Sequence, residues 1–172
     1  MIVAAETAAP GAWLLASGAH WWDLVRYGPP GFEVYARVDF DEGDTPARAL
    51  ELLASRTGTP EAAYAAVWEG WCGRPPPPAP VLLIPARTMH LFAATVAELR
   101  EGPAAAWGQH FPGVPPHLAW PEDRAWCLAC EVDEDFAFTV GCDRSTLEHL
   151  AEALPGGVRE VSYGADEPLW RN

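Results

Sequence analysis

Phe32, Val34, Ala36, Val38 and Phe40 alternate with Glu33, Tyr35, Arg37 and Asp39. A period of two puts the first set on one face of a strand and the second on the other, so the stretch predicts a strand with one face in the core. The same period recurs at Tyr64, Ala66 and Trp68, and again at Trp126, Leu128, Cys130 and Val132. Apolar runs at Val81 to Ile84, Met89 to Ala93, Phe136 to Val140 and Val158 to Tyr163 predict further short strands, the first two joined by a tight hairpin at Pro85-Ala86-Arg87.

Helical signals are fewer. Thr45-Pro46 reads as a cap followed by a first helical position, and Leu50, Leu53 and Ala54 share a face before Gly58, which predicts a helix over 46–56. Trp21 to Arg26 predicts a brief amphipathic turn stopped by Gly28-Pro29-Pro30-Gly31. Thr95 with Glu98, and Ser145 with Glu148, have capping-box spacing, and the second pair leads into the apolar stripe Leu147, Leu150, Ala151 and Leu154. The first twenty residues are weakly patterned, 75–80 is a proline-rich internal connector, and Gly108 to Pro116 is loop-like. The expectation is α+β: one domain over 1–172, with a mainly antiparallel or mixed sheet of about five to seven short strands and two to four short helices.

Charge changes the picture next. The chain carries 24 carboxylates against 11 basic residues, all of them arginine, for a net charge of -13. That field repels phosphate backbones and anionic lipid, so nucleic-acid and membrane partners are disfavoured and a basic protein partner is favoured. The lack of lysine removes Schiff-base chemistry and a P-loop lysine. No basic residue precedes Arg26 and no apolar run approaches spanning length, so a cytoplasmic location is expected, with the four cysteines as free thiols.

Motifs for chemistry are weak. Cys127 and Cys130 have a two-residue gap, but on a strand they point to opposite faces and do not converge on a metal. The acidic groups Asp39 to Asp44 and Glu131 to Asp135 fail the calcium-loop pattern and read as solvated strand-end turns. No serine sits on a nucleophile elbow, and the histidines lack metal-helix spacing. Neither a metal nor a cofactor is expected. The nine tryptophans supply core burial, while Trp71 and Trp120, beside glycine or proline, are the ones expected at the surface.

Three stretches carry a resemblance: Gly28 to Arg37 (Gly-Pro-Pro-Gly-Phe-Glu-Val-Tyr-Ala-Arg), Val67 to Trp71 (Val-Trp-Glu-Gly-Trp) and Trp120 to Cys127 (Trp-Pro-Glu-Asp-Arg-Ala-Trp-Cys). They resemble a family of uncharacterised actinobacterial proteins, over about residues 20 to 154. Gly141-Cys142-Asp143 departs from the Gly-Gly-Ser-like turn that the resemblance implies. The resemblance brings no established activity, ligand or catalytic residue. The layout also suggests, by analogy of fold alone, an immunity-type protein that neutralises a basic toxin.

Two function classes follow. The favoured one is a non-enzymatic acidic binding protein, its surface formed by Tyr35, Arg37, Trp71, Trp120, Asp123 and Arg124. The other is a small enzyme or ligand binder with an aromatic pocket, in which Tyr35, Trp68, Glu69 and His90 converge.

Overall fold

The computed structural model describes residues 1–40, 44–71, 78–101 and 115–169. The expected proline run 75–77, most of the expected loop (108–114), Cys72, Trp107, His110, Trp170 and positions 41–43 of the first acidic group lie outside these.

In chain order the elements are β1 (Val3–Ala4), α1 (Ala12–Ala16), α2 (Trp21–Tyr27), β2 (Val34–Asp39), α3 (Thr45–Ala54), β3 (Ala63–Trp68), β4 (Val81–Ile84), β5 (Arg87–Ala94), β6 (Leu118–Pro121), β7 (Cys127–Ala129), β8 (Ala137–Cys142), α4 (Arg144–Ala153) and β9 (Val158–Val161). The nine strands form one sheet of order β1-β5-β3-β6-β7-β8-β2-β9, with β4 beside β1 on the same edge of β5. Every ladder among the described residues is antiparallel. The protein is α+β, with four α-helices among the described residues and more strands than the five to seven expected.

The two unexpected strands have physical reasons. β1 is two residues long, too short for any period to show. β6 is buried at all four positions, so it lacks the polar alternation that marks a half-exposed strand. α1, in the weakly patterned start of the chain, was likewise not expected.

Both faces of the sheet are covered. On one, α3 and α4 bring Ala49, Leu50, Leu53 and Leu150 against Val34, Ala36, Val38, Leu128, Phe138 and Val140. On the other, α1 and α2 bring Leu14, Leu24 and Val25 against Leu82, Met89, Leu91, Leu118, Trp120, Cys127 and Ala129. β7 shows the alternation most directly, with Leu128 in the first layer and its neighbours Cys127 and Ala129 in the second. Cys130 joins the first layer, so Cys127 and Cys130 lie on opposite faces.

Local signals act as short-range chemistry requires. Thr95 and Glu98 form a reciprocal capping box: the Thr95 N–H donates to the Glu98 carboxylate at 2.8 Å and the Glu98 N–H to the Thr95 hydroxyl at 3.1 Å. It opens the 3₁₀ turn Glu98–Glu101. The helix expected to be capped by Ser145 is instead capped by Asp143, whose side chain accepts the Thr146 N–H at 2.7 Å. An aspartate two residues earlier offers a charged acceptor to the same orphan donors, and it wins.

Candidate functional site

The candidate site lies where β3 ends, β5 and β6 begin, and the β7–β8 loop departs. Its centre is Arg87. The hairpin turn Pro85–Ala86 ends in a left-handed Ala86 (φ 62°), a conformation that costs a non-glycine residue about 1 kcal/mol, and it delivers Arg87 to the α1/α2 face. The guanidinium carbon stands 5.6 Å from the ring centre of Trp21, at the start of α2, and 5.3 Å from that of Trp68, at the end of β3. Its Nε donates to Glu131 Oε1 at 2.6 Å, and its Nη2 lies 3.7 Å from Asp133. The arginine side chain is 16% exposed and that of Glu131 is fully buried. A cation held between two ring faces and neutralised by one carboxylate is a fixed, desolvated arrangement.

Trp68-Glu69-Gly70-Trp71 makes the adjoining wall. A Cβ at Gly70 would fall 2.3 Å from the Trp68 ring, so any other residue there would displace the ring over which the 3₁₀ turn Glu69–Trp71 folds. The turn brings Trp71 edge-on to His117, with ring centres 4.3 Å apart. His117 Nδ1 accepts the Trp68 N–H at 2.9 Å, which leaves the ring proton on Nε2. That Nε2 is buried and, among the described residues, has no hydrogen-bond partner. Burial, assisted by the nearby Arg87 charge, pushes the His117 pKa down to about 3, so the ring is neutral.

The residues expected to form a pocket are not all brought together. Trp68 and Glu69 are in this cluster, Glu69 exposed and Trp68 half-buried. His90 follows Met89, which pairs with Trp68 across the ladder, so His90 points to the opposite face of the sheet. Tyr35 is on β2, with β6, β7 and β8 between it and β3.

The expected binding surface is also redistributed. Tyr35 is 5% exposed, its hydroxyl donates to the Pro29 carbonyl at 2.8 Å, and burial raises its pKa to about 12. Arg37 is fully buried and pairs with Glu134 at 2.8 Å. Both stand on the polar side of β2, which α2 and the C-terminal tail cover instead of water. Trp120 is 1% exposed and packs edge-on to Trp13, because it lies with Leu118 on the sheet face that α1 and α2 cover. Trp71 is half-buried.

Asp123 is exposed but has a structural task. Its carboxylate accepts from the Thr57 hydroxyl and the Gly58 N–H, both at 2.7 Å, pinning the β6–β7 turn to the loop after α3. Partial burial pulls its pKa upward, and these hydrogen bonds outweigh that and hold it below the usual value. Arg124, exposed and left-handed (φ 57°), lays its guanidinium over Trp13 at 5.1 Å.

The second acidic group is the largest departure from expectation. Glu131 and Glu134 are buried rather than solvated, at 2% and 6% exposure, because arginines from three separate elements converge on them. Sequence reasoning did not single out Arg87, His117, Glu131 or Trp21 as one site, and their spacing along the chain offers no local signal. Among the described residues there is no group of three or more His, Cys, Asp or Glu placed to hold a metal ion, and no helix long and apolar enough to cross a membrane.

The class that fold and site define is therefore an antiparallel α+β sheet covered on both faces, with an arginine clamped by tryptophans at one end. No protein-family model, characterised protein or solved structure matches the chain.

Proposed function

We propose that the protein is a non-catalytic acidic binding protein that receives a basic protein partner at the tryptophan-lined end of its sheet. The observation that carries the reading is how positive charge is used. Six of the nine described arginines, Arg26, Arg37, Arg48, Arg87, Arg144 and Arg159, are paired with carboxylates. At the site itself Arg87 is neutralised by buried Glu131, while half-exposed Trp21, Trp68 and Trp71 stand beside exposed Glu69 and Asp133. Rigid aromatic anchors set affinity at such surfaces, and carboxylates around them steer a cationic partner inward. A basic toxin whose cleft is plugged by this end of the molecule is one partner of that chemistry. A cytoplasmic setting suits Cys127, Cys130 and Cys142, which are free, buried and held protonated by burial.

Calorimetric titration with octa-arginine tests the site. Asp133→Asn and Glu148→Gln remove the same charge, one at the site and one on exposed α4. The expected result is a loss of about fivefold in affinity for Asp133→Asn and for Trp71→Ala, with Glu148→Gln near the unaltered chain, a difference of roughly 1 kcal/mol. Equal losses for the two charge variants would reduce the binding to diffuse attraction and sink the reading.

A further inference from the structure

The segment Ser162 to Leu169 forms neither helix nor strand and is held at its start by Tyr163, whose hydroxyl donates to the Gly28 carbonyl at 2.8 Å and whose ring packs on Tyr27 and Tyr35, and beyond it largely by its main chain. Tyr27 donates its hydroxyl hydrogen to the Ala165 carbonyl. Arg26 Nη2 donates to the Glu167 carbonyl at 2.7 Å, Arg37 Nη2 to the Pro168 carbonyl at 3.1 Å, and the Asp135 N–H to the Leu169 carbonyl at 3.2 Å. Within five residues, four carbonyls are received by donors from α2, β2 and the β7–β8 loop. From Ala165 to Leu169, contacts of that kind read the course of the backbone. Asp166 and Pro168 are exposed, and the one acidic side chain facing the floor is Glu167, whose carboxylate lies 3.8 Å from Arg37 Nε and pairs with Arg159 at the rim.

The floor under this segment is cationic and incompletely satisfied. Arg26 and Arg37 are 2% and 0% exposed and share a single oxygen, Glu134 Oε1, at 3.1 and 2.8 Å. Among the described residues, the Nε of each is buried without a hydrogen-bond acceptor. A buried donor left unmade is unfavourable, and a guanidinium strongly prefers a carboxylate that meets two of its N–H groups. The tail places its carboxylate just out of reach of that arrangement.

We propose that the groove floored by Arg26 and Arg37, with the Tyr27 hydroxyl and the Asp135 N–H on its walls, is a binding site for an extended acidic peptide, and that the segment 162–169 is its resident, exchangeable occupant. A partner peptide with a differently spaced carboxylate reaches the Nε donors that Glu167 leaves unmet. This site is separate from the tryptophan-lined end, and its electrostatics have the opposite sign. The chain's charge of -13 repels an acidic peptide at long range, while the buried arginines attract it on contact. Salt therefore strengthens this association, whereas it weakens that of a basic partner.

The test uses the full chain, unaltered and as Glu167→Gln, with a fluorescein-labelled, end-capped peptide of residues 162–169 read by anisotropy, alongside hydrogen exchange of the tail and of the β2–β8 ladder. Glu167→Gln is expected to speed exchange in the tail and leave the ladder unchanged. It should take up the peptide at least about tenfold more tightly than the unaltered chain, and more tightly still at higher salt. A peptide carrying glutamine in place of its Glu167 is expected to lose that gain. Tail amides as slow as the ladder in both chains, or no uptake by a chain whose tail exchanges freely, would overturn the proposal. A concentration-dependent dimer dissolved by the peptide would overturn it in favour of tail exchange between two copies.

Discussion

Glu131 and Glu134 stand three residues apart in the β7–β8 loop, and they are neutralised in different ways. Glu131 meets one arginine, Arg87, which comes from a hairpin turn, keeps 16% of its side chain in solvent and is flanked by two tryptophan rings. Glu134 meets two arginines from α2 and β2, each 3% exposed or less, sealed beneath the tail. The loop ties the two together, because the Glu131 N–H donates to Glu134 Oε2 at 3.1 Å. The first pair builds a rim that a partner can touch; the second builds an interior that must stay closed or be refilled. What separates them is access to water, since a charge that loses its partner is rehydrated at a rim and stranded in an interior.

The largest expected effect follows from that difference. Among the described residues, Glu134→Gln leaves the two buried guanidiniums with no carboxylate nearer than Glu167, 3.8 Å from Arg37 Nε, and is expected to lower stability by about 3–5 kcal/mol. Glu131→Gln leaves one cation that can turn to Asp133 and solvent, for a loss of about 1–3 kcal/mol. Urea unfolding of the two variants decides it. Equal losses, or the reverse order, would mean that the rim pair is as sealed as the interior one.

The two regions were also unequally legible in the sequence. Alternation along β2 identified Val34, Ala36 and Val38 as a core face, and that is where α3 and α4 pack. The same alternation presented Tyr35 and Arg37 as a polar face, and nothing local announces that α2 and a tail more than a hundred residues downstream roof it. Pairing of Arg26 and Arg37 with Glu134 spans the chain and is visible only after folding. The Thr95/Glu98 box was legible because its partners are three residues apart. Part of the rim site was legible for the same reason: Trp68, Glu69 and Trp71 form one contiguous turn. His117 carried no signal, because a histidine beside a short buried strand looks like any other.

His117 supplies the next test, since it belongs to the rim site yet is itself sealed. Its folded pKa, about 3, lies below the ordinary 6.5. The unfolded chain therefore binds a proton between those values that the folded one refuses. The contribution is fully present above about pH 6.5 and falls by about 1.4 kcal/mol per pH unit as pH drops toward 3. The carboxylates with lowered pKa, Asp123, Asp143 and Glu167, add their losses only at lower pH, from about 4.5 downward. His117→Asn keeps an acceptor for the Trp68 N–H and removes the titration. The urea midpoint of the parent chain is expected to fall between pH 7 and 5 and that of the variant to stay nearly level. Parallel curves would show that His117 is hydrated and belongs with the rim.

The smallest effect asks whether the tryptophans act on Arg87 or merely surround it. Trp21 lies 5.6 Å from the guanidinium, and Trp21→Leu preserves most of the apolar bulk while removing the ring face. Arg87→Met removes the charge and keeps the stem. A double-mutant cycle over the two isolates their coupling, expected at about 0.5–1 kcal/mol for a half-exposed cation–π pair. The interior offers the contrast: Phe136 stands 5.9 Å from the Arg37 guanidinium, whose charge is already engaged by Glu134. A coupling between Trp21 and Arg87 near zero would leave Glu131, Asp133 and the Trp68 ring to restrain Arg87. The Trp21 ring face would then be uncommitted to the internal cation, and octa-arginine should bind Trp21→Leu more weakly than the parent chain. A full coupling predicts the opposite division of labour, with Trp21 held by Arg87 and Trp71 as the contacting ring.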